Sequence, residues 1–185
     1  MNMINRLLKY FIDCNHYVPT SVIAGLLIVF CLGATLFLLC YGFNKGIKRL
    51  ARLLFFELLY WLFSITILYR PVQSVRKYHF TPFWSYHAIY AGNELLLTQN
   101  IMNVLAFIPV GLLMGCSFDR IKWWKVFIIG GVFSVIIETL QFVMKRGFAE
   151  FDDFFHNVLG CLIGFGLYVG IKWLVVMMGR VVDVR

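Results

Sequence analysis

The sequence predicts an all-α integral membrane protein: five transmembrane helices, an outside N-terminus and inside C-terminus, and a partly structured external loop. Three observations point there. The 185 residues are 61% apolar and 14% charged, with a mean hydropathy of +0.81, a composition that a water-soluble domain cannot cover with polar surface. Five stretches with at most one charge are each long enough to cross about 30 Å of hydrocarbon when their ends are shielded by protein. Lysine and arginine gather in short clusters between those stretches, as membrane topology requires.

Taken in order, Leu7 to Phe11 with Arg6 and Lys9 reads as an amphipathic segment resting on a membrane surface. Asp13, Asn15 and His16 interrupt the apolar run before Pro19, so this is not the pattern of a cleaved signal peptide. The first span, Ser21 to Phe43, carries no charge. The second, Leu53 to Tyr69, contains only Glu57, which Arg49 or Arg52 can neutralise at the membrane boundary. The long loop Arg70 to Gln99 holds Pro71, Pro82 and the aromatics Phe80, Phe83, Trp84 and Tyr86. It is expected to fold back on the bundle with short helices, its aromatics at the interface. The third span is Asn100 to Cys116, the fourth Val126 to Met144 and the fifth Phe154 to Val176. Residues 1–69 thus hold the surface segment and two spans, 70–176 the remaining three, and 177–185 a cytoplasmic tail.

Positive charge sets the orientation. With the N-terminus outside, Lys45, Lys48, Arg49, Arg52, Arg120, Lys122, Lys125, Lys172, Arg180 and Arg185 lie inside. Arg6, Lys9, Arg70, Arg76, Lys77, Lys145 and Arg146 lie outside. The net charge of +8 is accounted for by topology and by contact with membrane lipids, and calls for no nucleic-acid partner. Cys14, Cys31, Cys40, Cys116 and Cys161 have no paired spacing, and read as thiols, most of them in or beside apolar stretches, with neither disulfide framework nor metal site.

Polar residues inside the last three spans are the functional signal. A carboxylate at bilayer depth costs about 2.5–3.5 kcal/mol on insertion scales, so it faces a protein interior or a wet cavity. Ser134, Glu138, Gln141 and Lys145 fall at i, i+4, i+7 and i+11 on the fourth span, and Asp153, Asn157, Gly160 and Gly164 repeat that spacing on the fifth. The polar face of the fourth span is expected to meet the glycine face of the fifth. Pro109 interrupts the hydrogen-bond ladder of the third span near Asn103, and Arg146 is placed to neutralise Glu138. The order predicts an outward pocket with Asn103, Glu138 and Gln141 as floor, Arg146, Glu150 and Asp153 as rim, and Asn157 beside them. Glu150, Asp152, Asp153 and His156 have metal-ligand chemistry but match no metal-binding spacing, and no metal is expected. No phosphate-cradling loop or nucleophile motif implies a cofactor or a covalent intermediate.

These same residues resemble the VanZ-like family. Asn103-Val-Leu-Ala-Phe-Ile-Pro109-Val-Gly111-Leu-Leu is similar to its N-x-x-x-F-I-P-F-G-L-L segment. Ser134 to Gln141 follows its S-x-x-x-E-x-x-Q helix, and Arg146 to Gly160 its R-x-x-x-D-x-x-D-x-x-x-N-x-x-G run. Phe80-Thr81-Pro82-Phe83 resembles N-L-x-P-F. The likeness spans Arg70 to Tyr168. Glu150 stands where the family has the first aspartate, Asp152 adds a carboxylate, and Val110 and His79-Phe80 depart from the pattern. The resemblance implies a multi-pass protein of a bacterial cytoplasmic membrane that lowers susceptibility to lipoglycopeptides such as teicoplanin. Its partner would be the antibiotic or a lipid-linked cell-wall intermediate. The rival expectations are an intramembrane enzyme acting on a lipid or polyprenyl substrate through Glu138 or Asp153, and a scaffold whose polar residues only hold helices together.

Overall fold

The structure is a computed structural model that describes residues 2–182, and only the backbone of residues 38, 41–45 and 179–182. Six α-helices account for most of it: α1 (Met3–Asn15), α2 (Thr20–Phe63), α3 (Trp84–Tyr90), α4 (Glu94–Ser117), α5 (Trp123–Met144) and α6 (Phe151–Val182). A π-helical turn, Ser64–Leu68, closes α2, and two short strands, β1 (Lys77–His79) and β2 (Phe148–Glu150), pair in parallel.

Five helical stretches are long and apolar enough to cross a membrane: Thr20–Phe37, Gly46–Leu68, Glu94–Ser117, Trp123–Met144 and Phe151–Met178. The first two belong to one helical element, yet they cannot lie end to end. At 1.5 Å per residue a straight α2 would hold Gly33 and Leu53 about 30 Å apart, but a Cβ on Gly33 would run into the Leu53 side chain. Likewise Asn15, ahead of α2, accepts a 3.2 Å hydrogen bond from Trp61 Nε1 near its far end. The chain therefore doubles back between residues 33 and 53, making the two antiparallel arms expected from the sequence. Lys45, inside the turn, is described only by its backbone.

α4 and α6 form the centre of the bundle, and their approach rests on small residues. A Cβ on Gly164 would meet the Ile108 carbonyl, one on Gly160 the Val104 carbonyl, and one on Gly111 the Cys161 carbonyl. The sequence reading put the Gly160 and Gly164 face against the fourth span. It packs instead on the third, because helical spacing identifies a face but not the neighbour that meets it. α5 reaches α6 through its own glycines: at Gly130 a Cβ would lie 2.8 Å from Cys161 Sγ, and at Gly131 3.1 Å from Phe154. Phe55, Leu62, Ile67, Phe107, Val110, Met114, Val126 and Ile137 fill the space between.

The third span starts earlier than the sequence suggested. Asn93 caps α4, its side chain accepting from Leu96 N at 3.3 Å, and Glu94 occupies the first turn, where a carboxylate favours the helix dipole. The tail expected from residue 177 continues α6 to Val182, and residues 183–185, including Arg185, lie outside the described residues. At the end of the bundle carrying most of the cations, Lys48 pairs with Asp119 at 2.6 Å. Arg52 donates through Nε to the Ser117 carbonyl at 2.9 Å, and one Glu57 oxygen is buried without a hydrogen-bond partner.

Candidate functional site

The opposite end of the bundle gathers the chain from α1, the 70–93 loop and the 145–150 connection. Lys145 ends α5 with a left-handed φ of 56°, and Gly147 follows at 99°. A Cβ at Gly147 would lie 2.6 Å from the Arg70 guanidinium, so glycine here both permits the turn and lets Arg70 pass. The loop is tied down by β1–β2 pairing, which sets His79 opposite Glu150, and by a Gln73 N–H that donates to the Lys145 carbonyl at 2.8 Å. As expected, the long loop folds back and contains a short helix.

Two adjacent carboxylates divide the work at the start of α6. Asp152 is fully buried and accepts from Phe83 N at 2.6 Å, Ser85 N at 3.0 Å and Ser85 Oγ at 2.6 Å; Asn100 Nδ2 then donates to Ser85 Oγ at 3.1 Å. It thereby fixes the entry to α3, where Phe83 takes an uncommon left-handed φ of 61°. Asp153, one residue on and about 100° around the helix, points elsewhere. It lines a cavity of about 320 Å³ enclosed by α1, the second arm of α2, α4, α5 and α6.

Asn103, Glu138, Gln141, Asp153 and Asn157 all line that cavity. Glu138 accepts from the Glu150 backbone N–H at 2.8 Å, and Asn157 Nδ2 donates to Ser134 Oγ at 2.9 Å. Asp153 Oδ1, Gln141 Oε1, Asn157 Oδ1 and the Asn103 Nδ2 donor are buried without a hydrogen-bond partner among the described residues. A buried polar group left this way costs about 1–3 kcal/mol, so four around one space point to a polar occupant there.

Two expected members stand apart. Arg146 donates to the Ile67 carbonyl at 2.8 Å and to the Leu68 carbonyl, satisfying the end of the π-helical turn; it does not neutralise Glu138. The cation on the cavity wall is Arg70, which acts electrostatically on Glu138, Glu150 and Asp153. Glu150 is no rim residue: it is fully buried and accepts from Gln99 Nε2 at 2.7 Å. Burial raises its carboxyl above the usual range, with the Gln99 donor opposing. Asp153 is also buried, so the pocket has no acidic rim. His156 pairs with Tyr86 OH at 2.9 Å, and Asp152 is committed to α3, so the acid–histidine cluster does not converge on a point.

Sequence reasoning missed Arg70, Gln99 and α1. Arg70 follows a span and precedes a proline, which reads as a topology cation. α1 does not lie free on a surface: Tyr10, Phe11, Cys14 and Asn15 line the cavity, and Arg6 pairs with Glu94 at the start of α4. Burial raises both the Tyr10 phenol and the Cys14 thiol. The strong amphipathic pattern of α1 held the signal, but it did not say whether lipid or protein met the apolar face.

Comparison with known proteins accords with this architecture. A sequence model of VanZ/LLP1 matches residues 29–176, reaching well upstream of the motifs that carry the resemblance. Protein VanZ of Enterococcus faecium is 32% identical over 130 residues, covering 68% of this chain and 75% of that protein. No solved structure matches. With most of its length inside the family match, this membrane protein belongs to the VanZ/LLP1 family.

Proposed function

We propose that this protein resides in a bacterial cytoplasmic membrane, N-terminus outside, and lowers susceptibility to lipoglycopeptide antibiotics such as teicoplanin. Its polar cavity would open on the external side and bind the antibiotic or a lipid-linked cell-envelope component. Family membership supports the resistance reading, and the excess of cations at the far end of the bundle supports the orientation. The observation that carries the site is the convergence of Asp153 Oδ1, Gln141 Oε1 and Asn157 Oδ1 on one cavity beside Glu138.

Magnitude narrows the ligand. About 320 Å³ is at the small end of ligand pockets. It admits a sugar or amine head but not a whole glycopeptide, and the free groups, three acceptors and the Asn103 Nδ2 donor, suit a hydroxyl-bearing head that both donates and accepts. The test is antibiotic susceptibility in a sensitive Gram-positive host carrying empty vector, wild type, Glu138→Gln or Asp153→Asn at matched membrane levels. Protection against teicoplanin but not vancomycin, lost in both variants, is expected. Full protection by either variant would remove the cavity from the mechanism.

A further inference from the structure

A second concavity, about 360 Å³, lies on the outer face of α5 and the start of α6. Val135, Glu138, Thr139 and Phe142 contribute one face of α5, Phe151 and Phe154 come from α6, and Phe80 from the loop. Val135 is 52% exposed and Phe151 40%. Both helices are long and apolar enough to cross a membrane, and an exposed apolar groove on their outer face is suited to hydrocarbon. An apolar helix face towards lipid needs no explanation; a concave one that includes the half-buried carboxyl group of Glu138, with the buried Glu150 behind it, does. Glu138 also lines the polar cavity, placing it at the wall between the two spaces.

We propose that the groove seats the hydrocarbon chain of a membrane-resident amphiphile whose hydroxyl- or amine-bearing head enters the polar cavity past Glu138. The inference rests on the reading that the polar cavity binds a ligand, and adds what kind and by which route. A bare hydrocarbon chain would press against Glu138, whose hydrogen bond from the Glu150 N–H occupies Oε2 alone, and would offer the other oxygen no polar contact, which is costly at this depth. A free sugar would satisfy the acceptors but leave the groove without purpose. An amphiphile meets both. Lipid tails are as apolar as the groove, so seating one gains little affinity by itself; it holds the head at high local concentration beside Asp153, Gln141 and Asn157.

The experiment uses the full chain in phosphatidylcholine nanodiscs with a dodecyl glucoside bearing a photoreactive group on its chain. A phosphocholine-headed analogue, which lacks hydroxyl donors, is the control. Labelled residues are located by mass spectrometry. The glucoside should label Val135, Thr139, Phe142, Phe151 and Phe154 in preference to exposed lipid-facing residues such as Val175, and the control should not. Thr139→Trp, which fills the groove, should abolish the preference. Asp153→Asn should weaken it about tenfold, the scale of one lost hydrogen bond. Even labelling of all lipid-facing residues, or a preference unchanged by either substitution, would overturn the inference. Its failure is separable from that of the resistance reading: protection without preferential labelling removes the amphiphile route alone, and preferential labelling without protection removes the antibiotic alone.

Discussion

Replacing Asp152 with alanine should detach the long loop from the bundle. The side chain accepts three hydrogen bonds, from Phe83 N, Ser85 N and Ser85 Oγ, and lies fully buried. Removing it leaves three donors in a space water does not reach, each costing about 1–3 kcal/mol. Ser85 Oγ keeps its contact with Asn100, and the loop can relax outward, so the net loss is set at about 3–5 kcal/mol. The left-handed Phe83 is then held by less and should also relax. At about 2–4 °C per kcal/mol for a chain of this size, the melting temperature in detergent should fall by roughly 10 °C. Limited proteolysis should show new cleavage between Arg70 and Asn93. Asp153→Ala, one residue away, removes an acceptor with a free oxygen and should leave the melting temperature nearly unchanged. A melting temperature for Asp152→Ala within about 2 °C of wild type would refute this division of roles.

Three further outcomes follow from the packing. Gly164→Ala places a Cβ 2.8 Å from both Ile108 C and Leu112 N, against backbone that cannot swing away; α4 and α6 must part, at about 1–3 kcal/mol, seen as a lower melting temperature. Arg146→Ala removes the Nη1 that donates to both the Ile67 and Leu68 carbonyls, and should cost about 1–3 kcal/mol in the same measurement. Burial raises the Glu150 carboxyl, so the folded state holds its proton to higher pH than the unfolded state does. Stability should therefore fall as pH rises above about 4.5 towards the folded value. Melting curves across that window should show a shallower slope for Glu150→Gln, and equal slopes would contradict it.

Much of the architecture was legible because long apolar runs and cation clusters act locally. The hairpin in α2 was readable from the basic stretch around Lys48 and Arg52, though its helical backbone continues through the turn. What was not legible depends on pairing at a distance. Arg146, two turns from Glu138 in sequence, goes to carbonyls of residues 67 and 68, while Arg70 arrives from another element. Gly160 and Gly164 showed a close helix contact without showing that α4 makes it. The separate roles of Asp152 and Asp153 could have been anticipated, since neighbours on a helix face different ways. What Asp152 meets could not, because its partners lie almost seventy residues upstream.

The most direct test of an outward-opening polar cavity is the accessibility of its wall. Thr66 lines the cavity near Arg70, and cysteine is close to it in size. With Cys14, Cys31, Cys40, Cys116 and Cys161 replaced, Thr66→Cys can be exposed in intact cells to a membrane-impermeant maleimide. Labelling from outside, slowed by added teicoplanin or by dodecyl glucoside, is the predicted result. Labelling only in inside-out vesicles would contradict it and place the cavity on the cytoplasmic side.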